Sequence, residues 1–189
     1  IPPTLLISSI GVMADVATAV TMDLKAAGNV VYLVGDFAPT LGGSHWALVT
    51  DLATGEAPPA LTARTPAVYR ALHRAIAAGL ARACHDLSQG GLAVAAAEMC
   101  IAGRLGLTVE VSDEPLTLNQ LLYGETNGCL LVEVKPDNAT AFEQALAGMP
   151  VQRLGVVDTE PTLTILHDGA PALTCPVAAL VAAWNTPLQ

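Results

Sequence analysis

Two adjacent glycines, Gly90 and Gly91, separate a short apolar run ending at Cys84 from an alanine-rich amphipathic stretch beginning at Leu92. The connecting run reads Cys84-His85-Asp86-Leu87-Ser88-Gln89-Gly90-Gly91-Leu92. Polar side chains end the first element and glycines open the second, which predicts a strand, a turn and a helix. The first amides of such a helix lack intrahelical acceptors, and the positive end of its dipole lies beside them. Glycine lets a ligand approach the backbone closely, so a phosphate is favoured there. The same residues also suit an ordinary tight turn with Asp86 or Ser88 as N-cap. Spacing alone leaves both readings open, because short glycine motifs match by chance.

Composition narrows the partners. The chain has 189 residues, of which 52% are hydrophobic and 13% charged, enough for one substantial core. The formal net charge is −9 and no basic face is visible, which excludes an ordinary double-helix binder. An anionic substrate would rely on local backbone donors rather than a general positive field. Mean hydropathy is positive, at +0.51, yet no apolar stretch reaches the length of a membrane span. The run from Gly91 to Ala102 is too short and is interrupted by Glu98.

The four cysteines, Cys84, Cys100, Cys129 and Cys175, show neither metal-ligand nor redox-motif spacing. They read as buried free thiols in a reducing, cytoplasmic setting. The histidines at 45, 73, 85 and 167 form no metal signature. The chain opens on Ile1, without the basic flank of a signal peptide, and reads as cut from something longer.

Strands are expected at Leu5–Val12, Val30–Val34, Ala81–Cys84, Leu107–Val111, Cys129–Val134 and Val151–Val157. A hairpin is expected where Leu163–Leu166 and Ala170–Thr174 flank His167-Asp168-Gly169. Thr65-Pro66 should start a helix, with Thr65 as N-cap, Val68, Leu72, Ile76 and Leu80 on its apolar face and Gly79 as cap. Further helices are expected at Gly90–Ala102 (closed by Gly103), Leu116–Leu122, Pro136–Ala147 and from Pro176 through Trp184. No helix is expected after Gly42-Gly43-Ser44-His45, and Ala53–Thr65 reads as surface loop. A hairpin among strand–helix alternations argues for an α+β fold, a mixed sheet in a sandwich, over a purely parallel one.

Several segments together resemble the C-terminal domain of the aminoimidazole-ribonucleotide-synthetase superfamily, and within it the phosphoribosylformylglycinamidine synthases. They are the run from Cys84 to Met99, Ile10-Gly11-Val12 through Asp15-Val16, Val20-Thr21-Met22-Asp23-Leu24-Lys25, Gly28 to Gly35, Leu41-Gly42-Gly43-Ser44 and Gly124-Glu125-Thr126. They occur in order over most of residues 1–157. Two departures stand out. Gln89 replaces an acidic or small polar residue, and Cys129 stands where an Arg is often expected.

The resemblance implies a three-layer α/β/α sandwich, a single domain over 1–189 and a place at the C-terminal end of a longer multidomain enzyme. It implies a substrate-cleft role in an ATP-dependent ligase of purine biosynthesis. That enzyme converts formylglycinamide ribonucleotide, glutamine-derived ammonia and ATP to formylglycinamidine ribonucleotide, ADP and phosphate. ATP and Mg²⁺ would be bound mainly outside this chain. The partners would be N-terminal domains of the same enzyme, a glutaminase domain or subunit, and the small ribonucleotide, with no nucleic acid and no membrane. The chain alone should be inactive. Two alternatives stay open: a relative acting on aminoimidazole ribonucleotide, selenophosphate or a hydrogenase-maturation substrate, or a non-catalytic assembly domain.

Under this resemblance the substrate-binding candidates are His85, Asp86, Ser88, Gly90 and Gly91; no residue is assigned to catalysis or to a metal. Gly90 and Gly91 would offer amides to the ribose phosphate and Ser88 its hydroxyl, while Asp86 would hold a ribose hydroxyl or orient the loop. His85 reads chiefly as a hydrogen-bonded strand-end residue and Glu98 as a paired acid. Glu125 and Asn127 are weaker candidates for the cleft, and Trp46 and Trp184 for packing or interface anchors. Gly91→Val is expected to weaken substrate binding without unfolding the domain.

Overall fold

The computed structural model describes residues 6–52, 55–112 and 115–186. Seven strands form one sheet: β1 (Val30–Val34), β2 (Ala81–Asp86), β3 (Gly106–Val111), β4 (Leu130–Val134), β5 (Val151–Asp158), β6 (Thr162–His167) and β7 (Ala170–Pro176). Their order is β2-β4-β1-β5-β3-β6-β7. Every pairing is antiparallel except β3 with β6, so the sheet is mixed. The helices are α1 (His45–Thr50), α2 (Thr65–Ala77), α3 (Gly91–Gly103), α4 (Leu118–Tyr123), α5 (Ala139–Ala145) and α6 (Val177–Asn185).

The three layers follow from the two-residue period of the strands. In β1, Val31 and Leu33 face a cluster containing Leu92, Ala96, Met99 and Leu121 from α3 and α4, together with Val177 from α6. Val30, Tyr32 and Val34 face a second cluster with Val68, Leu72 and Phe142 from α2 and α5. The wholly buried β1 therefore divides two cores. The Val68–Leu72–Ile76 stripe faces its core as its spacing predicts, and Leu80 packs beside it.

The α+β sandwich expectation holds, and several local expectations need correction. Residues 6–12 form no strand, and their apolar side chains, such as Ile10 at 98% and Val12 at 99%, are exposed. Extended propensity becomes a strand only where a partner satisfies the backbone. Leu5, in that expected strand, lies outside the described residues, as do Ile1 and residues 53–54 of the expected loop. Arg64, not Thr65, is the N-cap of α2, and Thr65 accepts the Thr62 amide instead.

Helix α3 is not amphipathic: Leu92, Ala93, Ala95, Ala96, Met99 and Cys100 are buried around much of its circumference. Gly103 sits inside α3, where any side chain would collide with the Leu24 backbone, and Arg104 takes the left-handed cap. The hairpin between β6 and β7 turns on Asp168 and Gly169, both at positive φ, as the Asp-Gly signal predicts.

Glu133, fully buried on β4, is a residue that periodicity does not flag. Its carboxylate accepts the Lys25 and Ala26 amides at 2.9 and 3.2 Å and the Asn29 side-chain amide at 2.5 Å. These bonds compensate a carboxylate held in a strand that is otherwise apolar. They also tie the segment before β1 to the sheet.

Candidate functional site

The site grows from one end of three neighbouring strands. Val34 at the end of β1 and Asp86 at the end of β2 both lie opposite Leu130 at the start of β4. The loop after β1, the turn after β2 and the turn before β4 must therefore leave the sheet together. They carry Leu41-Gly42-Gly43-Ser44, Ser88-Gln89-Gly90-Gly91 and Gly124-Glu125-Thr126, segments far apart in the chain.

Backbone contacts lock them. Thr40 and Glu125 pair as an antiparallel bridge, with the Glu125 amide donating to the Thr40 carbonyl at 2.9 Å and the Thr40 amide returning a bond at 3.3 Å. The Leu87 amide donates to the Cys129 carbonyl at 3.0 Å. Above the bridge, the rings of Trp46 and Tyr123 stack with centroids 4.3 Å apart and planes 11° apart. Trp46 is thus a packing anchor, whereas Trp184 is exposed.

A short helix does follow Gly42-Gly43-Ser44: the Ser44 hydroxyl accepts the Ala47 amide and caps α1. Six residues give too little periodicity for a sequence pattern to register it.

Helix α3 starts differently from the sequence expectation. Neither Asp86 nor Ser88 caps it; Gly90 does, in the left-handed region at φ 82° with no side-chain bond. The Gly91 amide donates to the Ser88 carbonyl at 3.2 Å, and the Gly90 amide donates to a Glu125 carboxylate oxygen at 2.9 Å. That same oxygen accepts the His45 amide at 2.8 Å and lies 3.3 Å from His45 Nδ1. The anion favoured by the helix end is thus present within the chain, as Glu125.

The glycines have a packing cause as well. A Cβ on Gly91 would lie 2.5 Å from the Gly124 carbonyl oxygen, and one on Gly90 would strike Val94. Gly91→Val would therefore strain the domain as well as alter the turn: φ is +67° and the neighbour is backbone.

The other predicted residues form the rim of this turn. His85 Nε2 lies 2.7 Å from a Glu98 oxygen, with both side chains largely buried, so each is paired. Asp86 is exposed, 3.6 Å from His85 Nδ1, and Ser88 and Gln89 are exposed. Gly90 and Gly91 are buried beneath the α4–β4 turn. Asn127 turns away, donating to the Pro59 carbonyl. The Thr126 hydroxyl is buried without a hydrogen-bond partner among the described residues. An open cleft of about 460 Å³ beside α1 is lined by Gly43, His45, Leu48, Asp51 and Glu56.

The four cysteines are free; Cys100 and Cys129 are buried, while Cys84 and Cys175 are half-buried. Burial pushes the Cys84 thiol up to about 11 and the Cys100 and Cys129 thiols up to about 12, which suits packing rather than nucleophilic attack. Among the described residues, no group of three or more His, Cys, Asp and Glu could hold a metal ion, and no helix is long and apolar enough to cross a membrane.

Comparison with known proteins adds the family. The chain is 37% identical over 190 residues to the phosphoribosylformylglycinamidine synthase subunit PurL of Synechocystis sp., and 40% identical over 171 residues to that of Thermobifida fusca. These alignments cover 97% and 88% of this chain but 25% and 22% of the relatives, so the chain spans a quarter or less of their length. Its fold matches T. maritima PurL complexed with FGAR at a TM-score of 0.75, with 19% identity over 88% of this chain and 30% of that one. T. maritima PurL complexed with ATP matches at 0.70, with 17% identity over 88% of this chain and 28% of that one. The family profile described as AIR synthase related protein, C-terminal domain, matches residues 26–168. By that match the chain belongs to the AIR synthase related family, as its C-terminal domain.

Proposed function

We propose that this chain is the substrate-cleft domain of an ATP-dependent synthetase that converts formylglycinamide ribonucleotide, glutamine-derived ammonia and ATP to formylglycinamidine ribonucleotide, ADP and phosphate. One observation carries the reading. Three segments that resemble the family, at 41–44, 88–91 and 124–126, are far apart in sequence and meet at one end of the sheet. The relatives named above have this activity in their names, and one solved relative is complexed with FGAR.

In this reading the chain acts by positioning. The Ser88 hydroxyl donates to the ribose phosphate from the rim, and Asp86 accepts from a ribose hydroxyl. His85, held by Glu98, keeps the end of β2 in place beneath them. Gly90 and Gly91 fold the turn that presents Ser88 and Asp86. Direct contact of the Gly90 amide with the phosphate requires the Glu125 carboxylate to withdraw, and contact of the Gly91 amide requires release of the Ser88 carbonyl.

ATP supplies the phosphoryl group that activates the formamide oxygen, and other segments of the longer enzyme would hold it with Mg²⁺. The partners are then the preceding domains of the same enzyme and a glutaminase domain or subunit. The setting is the cytoplasm.

The test is phosphate release by the complete protein carrying this chain, supplied with ATP, Mg²⁺, ammonia and formylglycinamide ribonucleotide. Release that requires the ribonucleotide, and that is absent with this chain alone, is expected. A complete, folded protein without that dependence refutes the reading.

A further inference from the structure

We propose that Glu125 is a positioning residue that fixes the spacing of the two glycine turns, and that it is a permanent clamp rather than a plug displaced by substrate. The inference rests on the substrate-cleft reading above.

One carboxylate oxygen accepts the Gly90 amide at 2.9 Å and the His45 amide at 2.8 Å. These amides open α3 and α1, so one charge holds two helix starts together. Its backbone is itself fixed by the bridge to Thr40, and its side chain is only 14% exposed. A plug would need a turn free to carry the carboxylate away. Here the residue before it, Gly124, is so confined that a Cβ would lie 2.5 Å from the Gln120 carbonyl oxygen and 2.6 Å from Pro39. Gly91 presses on the same peptide, which leaves the turn no slack. With Glu125 in place, the groups left for substrate are those on the rim, Ser88 and Asp86 on one side and Gly43 and His45 on the other.

Removing the carboxylate frees both turns and leaves two helix-terminal amides without their acceptor. Bonds to a charged acceptor are the stronger kind. In the complete protein Glu125→Ala should raise KM for the ribonucleotide about tenfold or more, while kcat falls by a smaller factor. Glu125→Gln keeps an acceptor oxygen in the same place and should recover most of the loss. Far-UV circular dichroism checks that both variants are folded.

A plug gives the opposite sign, with Glu125→Ala lowering KM; that result, or an unchanged KM in a folded variant, overturns the proposal. Hydrogen exchange on the same proteins separates failure of the clamp from failure of the functional reading. Faster exchange at the Gly90 and His45 amides in Glu125→Ala, restored in Glu125→Gln, supports the clamp even if the protein turns over no ribonucleotide. Unaltered exchange at both amides rejects it whatever the protein catalyses.

Discussion

Gly91→Ala separates a glycine kept for packing from one kept only for its backbone angle. Gly91 has φ +67°, and an added Cβ would lie 2.5 Å from the Gly124 oxygen and 2.9 Å from the Tyr123 carbonyl carbon. Gly79, at the end of α2, has nearly the same angle, φ +72°, with nothing among the described residues within 4 Å of its Cβ position. Alanine in the left-handed region costs about 1–2 kcal/mol at either site. At Gly91 the backbone of the α4–β4 turn must also shift, and such overpacking adds about 1–3 kcal/mol. Gly79→Ala should therefore destabilise by about 1–2 kcal/mol and Gly91→Ala by about 2–5 kcal/mol. Urea unfolding of the two variants, followed by circular dichroism at equal slope, measures the difference. Equal losses would show that the turn yields freely and that backbone crowding does not explain Gly91.

The buried Glu133 and the cysteines make further predictions. Glu133→Ala strands the Lys25 and Ala26 amides and the Asn29 side chain, and should cost about 3–5 kcal/mol; Glu133→Gln should cost less. A loss of unfolding free energy below about 1 kcal/mol for the alanine variant would contradict the role given to this carboxylate. The thiols of Cys84, Cys100 and Cys129 are raised from 9.0 to about 11, 12 and 12 by burial, so the unfolded chain ionises first. Their contribution is whole below pH 9 and is lost as pH rises toward 11–12, so the melting temperature should fall over that window. A flat profile from pH 9 to 11 would count against it.

The parts of the fold legible in the sequence are those set by local pattern. Val30–Val34 has the apolar continuity of a strand buried on both faces, and Asp168-Gly169 is turn chemistry that demands a hairpin. The strand–turn–helix at 84–92 is likewise local. What escaped depends on distant partners. Residues 6–12 have strand composition but no partner among the described residues. Helix α1 is too short for a period, although Ser44 before it was a usable cap signal. The single acid in Leu130–Val134 was a visible sign of a buried, bonded carboxylate, but nothing local names Lys25, Ala26 and Asn29 as its donors.

The candidate site was legible in the same divided way. Each glycine segment is readable by itself, and only the strand order β2-β4-β1 brings them together. The helix-dipole argument asks for an anion at Gly90, and it cannot tell a ligand from a carboxylate 35 residues away. Glu125 was therefore the residue most undervalued by local reasoning.

If the convergence of 40–45, 88–91 and 123–126 forms a wall of a ribonucleotide cleft, bound ribonucleotide covers all three segments at once. Hydrogen–deuterium exchange on the complete protein, with and without saturating formylglycinamide ribonucleotide, tests it most directly. Slowed exchange in these three segments together is expected, with little change at the opposite strand ends, near Gly28-Asn29 and Asp158. Protection confined to other segments, in a protein shown to bind the ribonucleotide, would contradict it.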